Sequence, residues 1–172
     1  DRIVVPIGGG GLASGVGTVF EHLAPSVDVV GIEVEHSHAF TASLAAGRIV
    51  EVEVGPTLAD GLAGNMDPDT ITFEIVRRVV DRLVIVGEGD LAAAMRGIAL
   101  HEHVVAEGAG AAAVAALLSG RIGPGAGATA VPRPRAGRRR VPWTPEGSAS
   151  AFFPGSFRLR NRVGARKLSA PF

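Results

Sequence analysis

An α/β fold, with a mostly parallel sheet, helices on both faces and an irregular basic tail behind it, is predicted by three observations. Short buried apolar runs alternate with segments of helical length, a run of four glycines joins the first strand to the first helix, and charge and proline content change sharply near residue 122. The order read along the chain is β-α-β-α-β-α-β-α-α, which favours right-handed crossovers and a parallel sheet.

Arg2 to Ile7 reads as a short buried strand, Gly8 to Gly11 as its exit loop, and Leu12 to Leu23 as a helix that ends before Pro25. Val27 to Glu33 is a second buried strand. Ala39 to Ala46 is a short helix stopped by Gly47, and Ile49 to Val54 alternates apolar and acidic residues as a half-exposed strand does. Asp60-Gly61, Gly64-Asn65 and Asp67-Pro68-Asp69 carry turn chemistry. Thr70 to Val80 is expected to be helical, with Ile71, Ile75, Val76, Val79 and Val80 on one face and Asp67 or Asp69 as N-cap. Arg82 to Val86 is a strand, Asp90 caps a helix running from Leu91 towards His101, and Gly108 to Ser119 is an alanine-rich helix closed by Gly120.

The net charge of zero over 172 residues conceals two units. Residues 1–120 carry 6 basic and 16 acidic side chains, whereas residues 121–172 carry 11 and 1, together with seven of the eleven prolines. The expected division is a partial α/β domain over 1–122 and a Pro/Arg-rich tail over 123–172, disordered or non-native, whose one strand-like stretch is Ala126 to Val131. The arginine, alanine, glycine and proline mixture of the tail suggests GC-rich coding sequence read out of frame. A native polyanion-binding tail built on Arg133, Arg135 and Arg138 to Arg140 is the rival reading.

An apolar fraction of 47% suffices for a core, and no apolar run approaches the ~20 residues of a membrane-spanning helix. The chain has no cysteine, which removes disulfides and thiolate metal sites and makes a cytoplasmic location the expectation. It opens on Asp1 directly before a strand-like run, as a sequence beginning in mid-fold would.

Four glycines between a buried strand and a helix let the backbone approach a ligand closely and aim several N–H groups at it, the arrangement an anion requires. No basic residue lies nearer in sequence than Arg2, so a phosphate held here would be held by the main chain. The loop by itself leaves several ligands open. Gly8-x-Gly10-x-x-Ala13 fits the permissive dinucleotide fingerprint, with Glu33 near the place of a ribose-binding acid; another phosphate ligand, or a glycine-rich turn with no ligand, also fits.

The surrounding residues narrow this. Val5-Pro6-Ile7-Gly8-Gly9-Gly10-Gly11-Leu12-Ala13-Ser14-Gly15 resembles the tetraglycine loop of threonine dehydratases and serine racemases. Three matches follow in order: Val30-Gly31-Ile32-Glu33, Thr57-Leu58-Ala59-Asp60-Gly61-Leu62 against the family's T-I-A-D-G segment, and Val105-Ala106-Glu107-Gly108-Ala109-Gly110-Ala111 against its glutamate-plus-small-residue helix start. The resemblance covers about residues 1–122 and implies the type II fold of pyridoxal-phosphate enzymes, this stretch being part of the large domain. It implies pyridoxal 5'-phosphate as cofactor, held by the backbone of Gly8, Gly9, Gly10, Gly11 and Leu12. It also implies threonine or serine as substrate, deaminated to a 2-oxo acid and ammonia, and a homo-oligomeric full-length enzyme with neither membrane nor nucleic acid as partner.

The family's Schiff-base lysine and its S-G-G-N serine turn have no counterpart here. Lys167 is the only lysine and lies in the tail, and Pro132-Arg133-Pro134-Arg135 stands where the serine turn is expected. The chain alone is therefore expected to be inactive, with no catalytic residue assigned. A dinucleotide-binding oxidoreductase fragment and a non-catalytic module with a polyanion-binding tail are the alternatives.

Glu33, Glu35, His36 and His38 cluster beyond a strand end. Serine racemases place a divalent cation near this point with a glutamate matching Glu33, but their aspartate six residues on is Ala39 here, so no metal is assigned. His101 and His103 lack the i, i+4 spacing of a helical zinc pair. Asp60 and Glu107 are carboxylates worth locating, each expected in a cap or loop bond.

Overall fold

The computed structural model describes residues 1–123 and, beyond them, the backbone of three short strands. Four parallel strands form the sheet in the order β3-β2-β1-β4: β1 is Arg2–Pro6, β2 Asp28–Val34, β3 Arg82–Val86 and β4 Ala128–Ala130. Ile3 lies opposite Val29 and Val5 opposite Gly31, while Ile32 lies opposite Val84. The two remaining strands, Phe152–Phe153 and Phe157–Arg158, pair antiparallel with each other as β5 and β6. The rest of the tail, including the proposed basic patch and Lys167, lies outside the described residues.

Alternate residues of the strands feed two cores, one on each face, as the two-residue side-chain period requires. Ile3, Val5, Ile7 and Val29 pack beneath α1 (Gly11–Leu23), α2 (Ala39–Ala46) and α3 (Thr72–Val79), with Ala13, Phe40, Phe73 and Val76. Val4, Val30, Ile32 and Val34 pack beneath α4 (Glu88–Gly97) and α5 (Gly108–Leu118). The helices thus cover both faces, as the alternating pattern predicts. α5 is alanine-rich because it lies deepest: Ala111, Ala112, Ala113, Ala115 and Ala116 are all fully buried, so small side chains let it sit close to the sheet.

Three sequence expectations are corrected. Residues 49–54 form no strand; Val50 N–H donates to Ser43 Oγ, and Val52 exchanges both its backbone bonds with the Asn65 side chain, so side chains replace the ladder. α3 has Ile71 at its N-cap position, and neither Asp67 nor Asp69 caps it. Asp67 instead accepts from Asp69 N–H in the preceding turn. Its buried face is Phe73, Val76 and Val79, whereas Ile71 is 75% exposed, because the helix starts later than the periodicity suggests. α4 starts at Glu88, and Asp90 reaches back from the third position to Gly87 N–H, closing the first turn from inside. A single π-helical turn, Ile98–Glu102, extends α4 to His103, whose positive φ of 54° ends it.

Candidate anion-binding site

The four glycines leave β1 at its C-terminal end, the end at which open α/β sheets bind ligands. Gly10 stands at the N-cap of α1 with φ +82°, and a Cβ there would meet Phe40 Cζ at 2.6 Å, so backbone angle and space both demand glycine. Thr72 of α3 holds the turn from behind, its hydroxyl donating to the Gly9 carbonyl at 2.8 Å. Gly9 and Gly11 have nothing within 4 Å of where a Cβ would stand.

The first turn of an α-helix lacks intrahelical acceptors for its N–H groups, and in α1 Ser14 N–H bonds back to the Gly10 carbonyl. No side chain caps this end. The uncapped N–H groups of Gly11, Leu12 and Ala13 and the positive end of the helix dipole therefore share one mouth. Facing it is a cavity of about 170 Å³ lined by Pro6, Gly8 to Gly11, Leu12, Gly61, Leu62 and Ala109. Every lining side chain is uncharged, so whatever anion enters meets main-chain donors first.

The opposite wall is a 3₁₀ turn, Asp60–Leu62, wedged between the glycine loop and the start of α5. A Cβ on Gly8 would lie 3.1 Å from Leu62 Cα, and one on Gly108 would lie 2.1 Å from the Leu58 carbonyl oxygen. Three sequence-distant segments are thus in close contact, and a glycine stands at each point of approach: Gly8, Gly61 and Gly108.

Gly8 to Leu12 line one cavity, together with Pro6, Gly61, Leu62 and Ala109. The last three lie inside the two segments singled out by resemblance, so their signal was the small residues there rather than the nearby carboxylates. Asp60 is exposed and accepts from Gly61 N–H at 2.9 Å, while Glu107 stands at the N-cap position of α5 without capping it through its side chain.

Glu33 has a different duty. At 2% exposure its carboxylate accepts from Phe40 N–H and Thr41 N–H, each at 2.8 Å, and from the Thr41 hydroxyl at 2.6 Å, so it closes the N-terminus of α2. Burial pushes its carboxyl above the ordinary value, with the Thr41 and Phe40 bonds and the nearby His38 pulling the other way. A carboxylate so engaged is not free to meet a ribose, which removes the feature that favoured a dinucleotide. Both its oxygens are also turned to α2 rather than towards a cation, and Ala39 offers no side-chain oxygen beside it. His36 Nδ1–H donates to the Pro56 carbonyl at 2.6 Å and His38 Nδ1–H to the Glu35 carbonyl at 3.0 Å, so both imidazoles fasten loops.

A glycine loop on an uncapped helix N-terminus, at the carboxyl edge of a parallel sheet, defines an α/β protein whose main chain turns N–H groups towards the edge at which such sheets take ligands. Its family follows from comparison. The pyridoxal-phosphate dependent enzyme family model matches residues 1–131, and the chain belongs to that family.

Among curated relatives, the L-threonine ammonia-lyase of Thermotoga maritima is 46% identical over 117 residues, 68% of this chain and 29% of that protein. The catabolic L-threonine dehydratase of Escherichia coli K12 is 41% identical over 122 residues, 71% of this chain and 37% of that protein. The chain thus spans under two-fifths of the length of these relatives. Among solved structures, a threonine deaminase from T.th. superposes with a TM-score of 0.69 at 34% identity, covering 80% of this chain and 51% of that one. Maize serine racemase gives 0.72 at 30%, covering 80% and 44%. The fold is that of these pyridoxal-phosphate enzymes, as the tetraglycine resemblance led us to expect.

Proposed function

We propose that this chain supplies the cofactor-phosphate cradle of a pyridoxal-phosphate-dependent lyase that deaminates threonine or serine to a 2-oxo acid and ammonia. The observation that carries the reading is the open space over Gly9 and Gly11 at the uncapped start of α1. The backbone N–H groups of Gly8, Gly9, Gly10, Gly11 and Leu12 bind the phosphate oxygens, the α1 dipole favours their charge, and Pro6, Leu62 and Ala109 shield them from water. Pyridoxal phosphate, when bound, makes the α-proton of an amino-acid substrate acidic and so allows its β-hydroxyl to leave. The chain's own contribution is to anchor and orient.

Removing the α-proton requires a base, and in the residues described no lysine is present: the single lysine of the sequence is Lys167. The 172-residue chain is therefore proposed to bind pyridoxal phosphate without turning over threonine. Titration with pyridoxal phosphate, followed by absorbance and competed with inorganic phosphate, tests the first half. Tight binding of a nicotinamide dinucleotide that pyridoxal phosphate does not displace would refute it. Formation of 2-oxobutyrate from threonine by purified chain, above the rate with free cofactor, would refute the second half.

A further inference from the structure

The two walls of the cradle are supported unequally. The glycine loop is carried by β1 and α1, each of which has its own hydrogen-bond ladder. The facing segment, residues 55–64, holds only the short turn at Asp60–Leu62 and is fastened by side chains from elsewhere. His36 holds Pro56, and Ser37 Oγ accepts from Gly64 N–H at 3.0 Å.

The stretch immediately before the turn is held by Glu88, the first residue of α4. One carboxylate oxygen of Glu88 accepts from the Thr57 hydroxyl, and the other accepts from Leu58 N–H at 2.8 Å. Thr57 Oγ1 in turn accepts from Ala59 N–H at 3.1 Å, and Leu62 N–H donates to the Ala59 carbonyl at 2.8 Å, closing the turn that presents Gly61 and Leu62 to the cavity. Glu88 itself is steadied, because its N–H donates to Glu35 Oε1 at 2.9 Å. The chain of contacts has little slack: Gly8 lies against Leu62 on one side and Gly108 against Leu58 on the other.

We propose that Glu88 is a positioning residue of the cradle: through Thr57 and Leu58 its carboxylate sets the Gly61–Leu62 wall at the separation from the Gly8–Leu12 loop at which a phosphate is gripped. This rests on the phosphate-cradle reading above. Glu88 is not among the residues lining the cavity; it acts only through the segment it holds. Replacing it by glutamine preserves the grip, since the amide oxygen accepts from Leu58 N–H and the amide nitrogen donates to Thr57 Oγ1.

The test uses the full 172-residue chain as wild type, E88A, E88Q and T57V. Pyridoxal phosphate and inorganic phosphate are the probes, and amide hydrogen exchange is read at Leu62 and Ala63 against the β1 and β2 amides. E88A is expected to weaken binding of both probes about tenfold, T57V about threefold and E88Q less than about twofold. Exchange at Leu62 and Ala63 should rise in E88A and T57V, with β1 and β2 unchanged. E88A binding and exchanging like wild type overturns the proposal, and so does a rise in exchange spread equally over β1 and β2. Should E88A fail to fold, T57V decides by the same comparison. Wild type binding neither probe refutes the cradle reading itself, whereas wild-type binding undiminished in E88A refutes only the role of Glu88.

Discussion

Replacing Gly108 by alanine places a methyl group against backbone, where no rotamer can relieve it. Its Cβ would stand 2.1 Å from the Leu58 carbonyl oxygen, 2.4 Å from the carbonyl carbon and 2.8 Å from Ala59 N, where ordinary contact begins at 3.4 Å. Either α5 or the 57–62 segment must retreat by about 1 Å, and overpacking of this kind costs about 1–3 kcal/mol. Alanine recovers up to about 1 kcal/mol through its helix preference over glycine, leaving a net loss near 1–2 kcal/mol. For a urea slope of ~1–3 kcal/mol/M the unfolding midpoint falls by roughly 0.3–2 M. G89A is the matched control, because its Cβ on α4 would meet nothing within 4 Å. There the helix preference acts alone, and the midpoint should rise, by about 0.4–1 kcal/mol of stability. A G108A chain as stable as wild type would refute the claim that these two backbones are in limiting contact.

Three further outcomes are expected. G10A combines a left-handed φ of +82° with a clash 2.6 Å from Phe40 Cζ, so it should abolish phosphate binding in the pyridoxal-phosphate titration and lower the urea midpoint. S14A removes a buried hydroxyl without a hydrogen-bond partner, and should raise stability by up to about 1 kcal/mol in the same assay, a loss counting against it. Burial holds the folded pKa of Glu33 above its ordinary 4.5, so its stabilising contribution is complete below that value and fades as pH rises through the folded pKa. Wild type should therefore lose stability relative to E33Q as pH is raised from acid towards neutral, and the opposite trend in midpoints would show that the α2 hydrogen bonds outweigh burial.

Periodicity read β1 and β2 well because both are short and almost wholly buried, and the glycine run marked the exit from β1 into α1. Periodicity misjudged residues 49–54, where Val50 and Val52 alternate with acids as in a strand but Ser43 and Asn65 take their backbone bonds. Alternation records which side chains face the protein, not what satisfies the main chain. The span of α2 was legible from the sequence, with Gly47 stopping it, but the partner of its first turn was not, since Glu33 comes from the preceding strand. The same limit applies at the site: Gly8 to Leu12 are contiguous and visible, whereas Gly61, Leu62, Ala109 and Glu88 join them only through contacts between distant segments.

The fourth strand has a consequence for how the fold is reached. Arg2 pairs with Ala128 and Val4 with Ala130, so the strand that carries the glycine loop has as one neighbour the next strand in sequence, β2, and as the other a strand separated from it by α1 to α5. β1, β2 and β3 can assemble through crossovers of modest length, but seating β4 against β1 closes a loop that contains β2, β3 and the helices α1 to α5. The entropy of that closure grows only logarithmically with length, yet such long-range pairings slow folding markedly. The edge of β1 that β4 takes is therefore filled later than the edge that β2 takes, and until then it is a place where another strand can add in error.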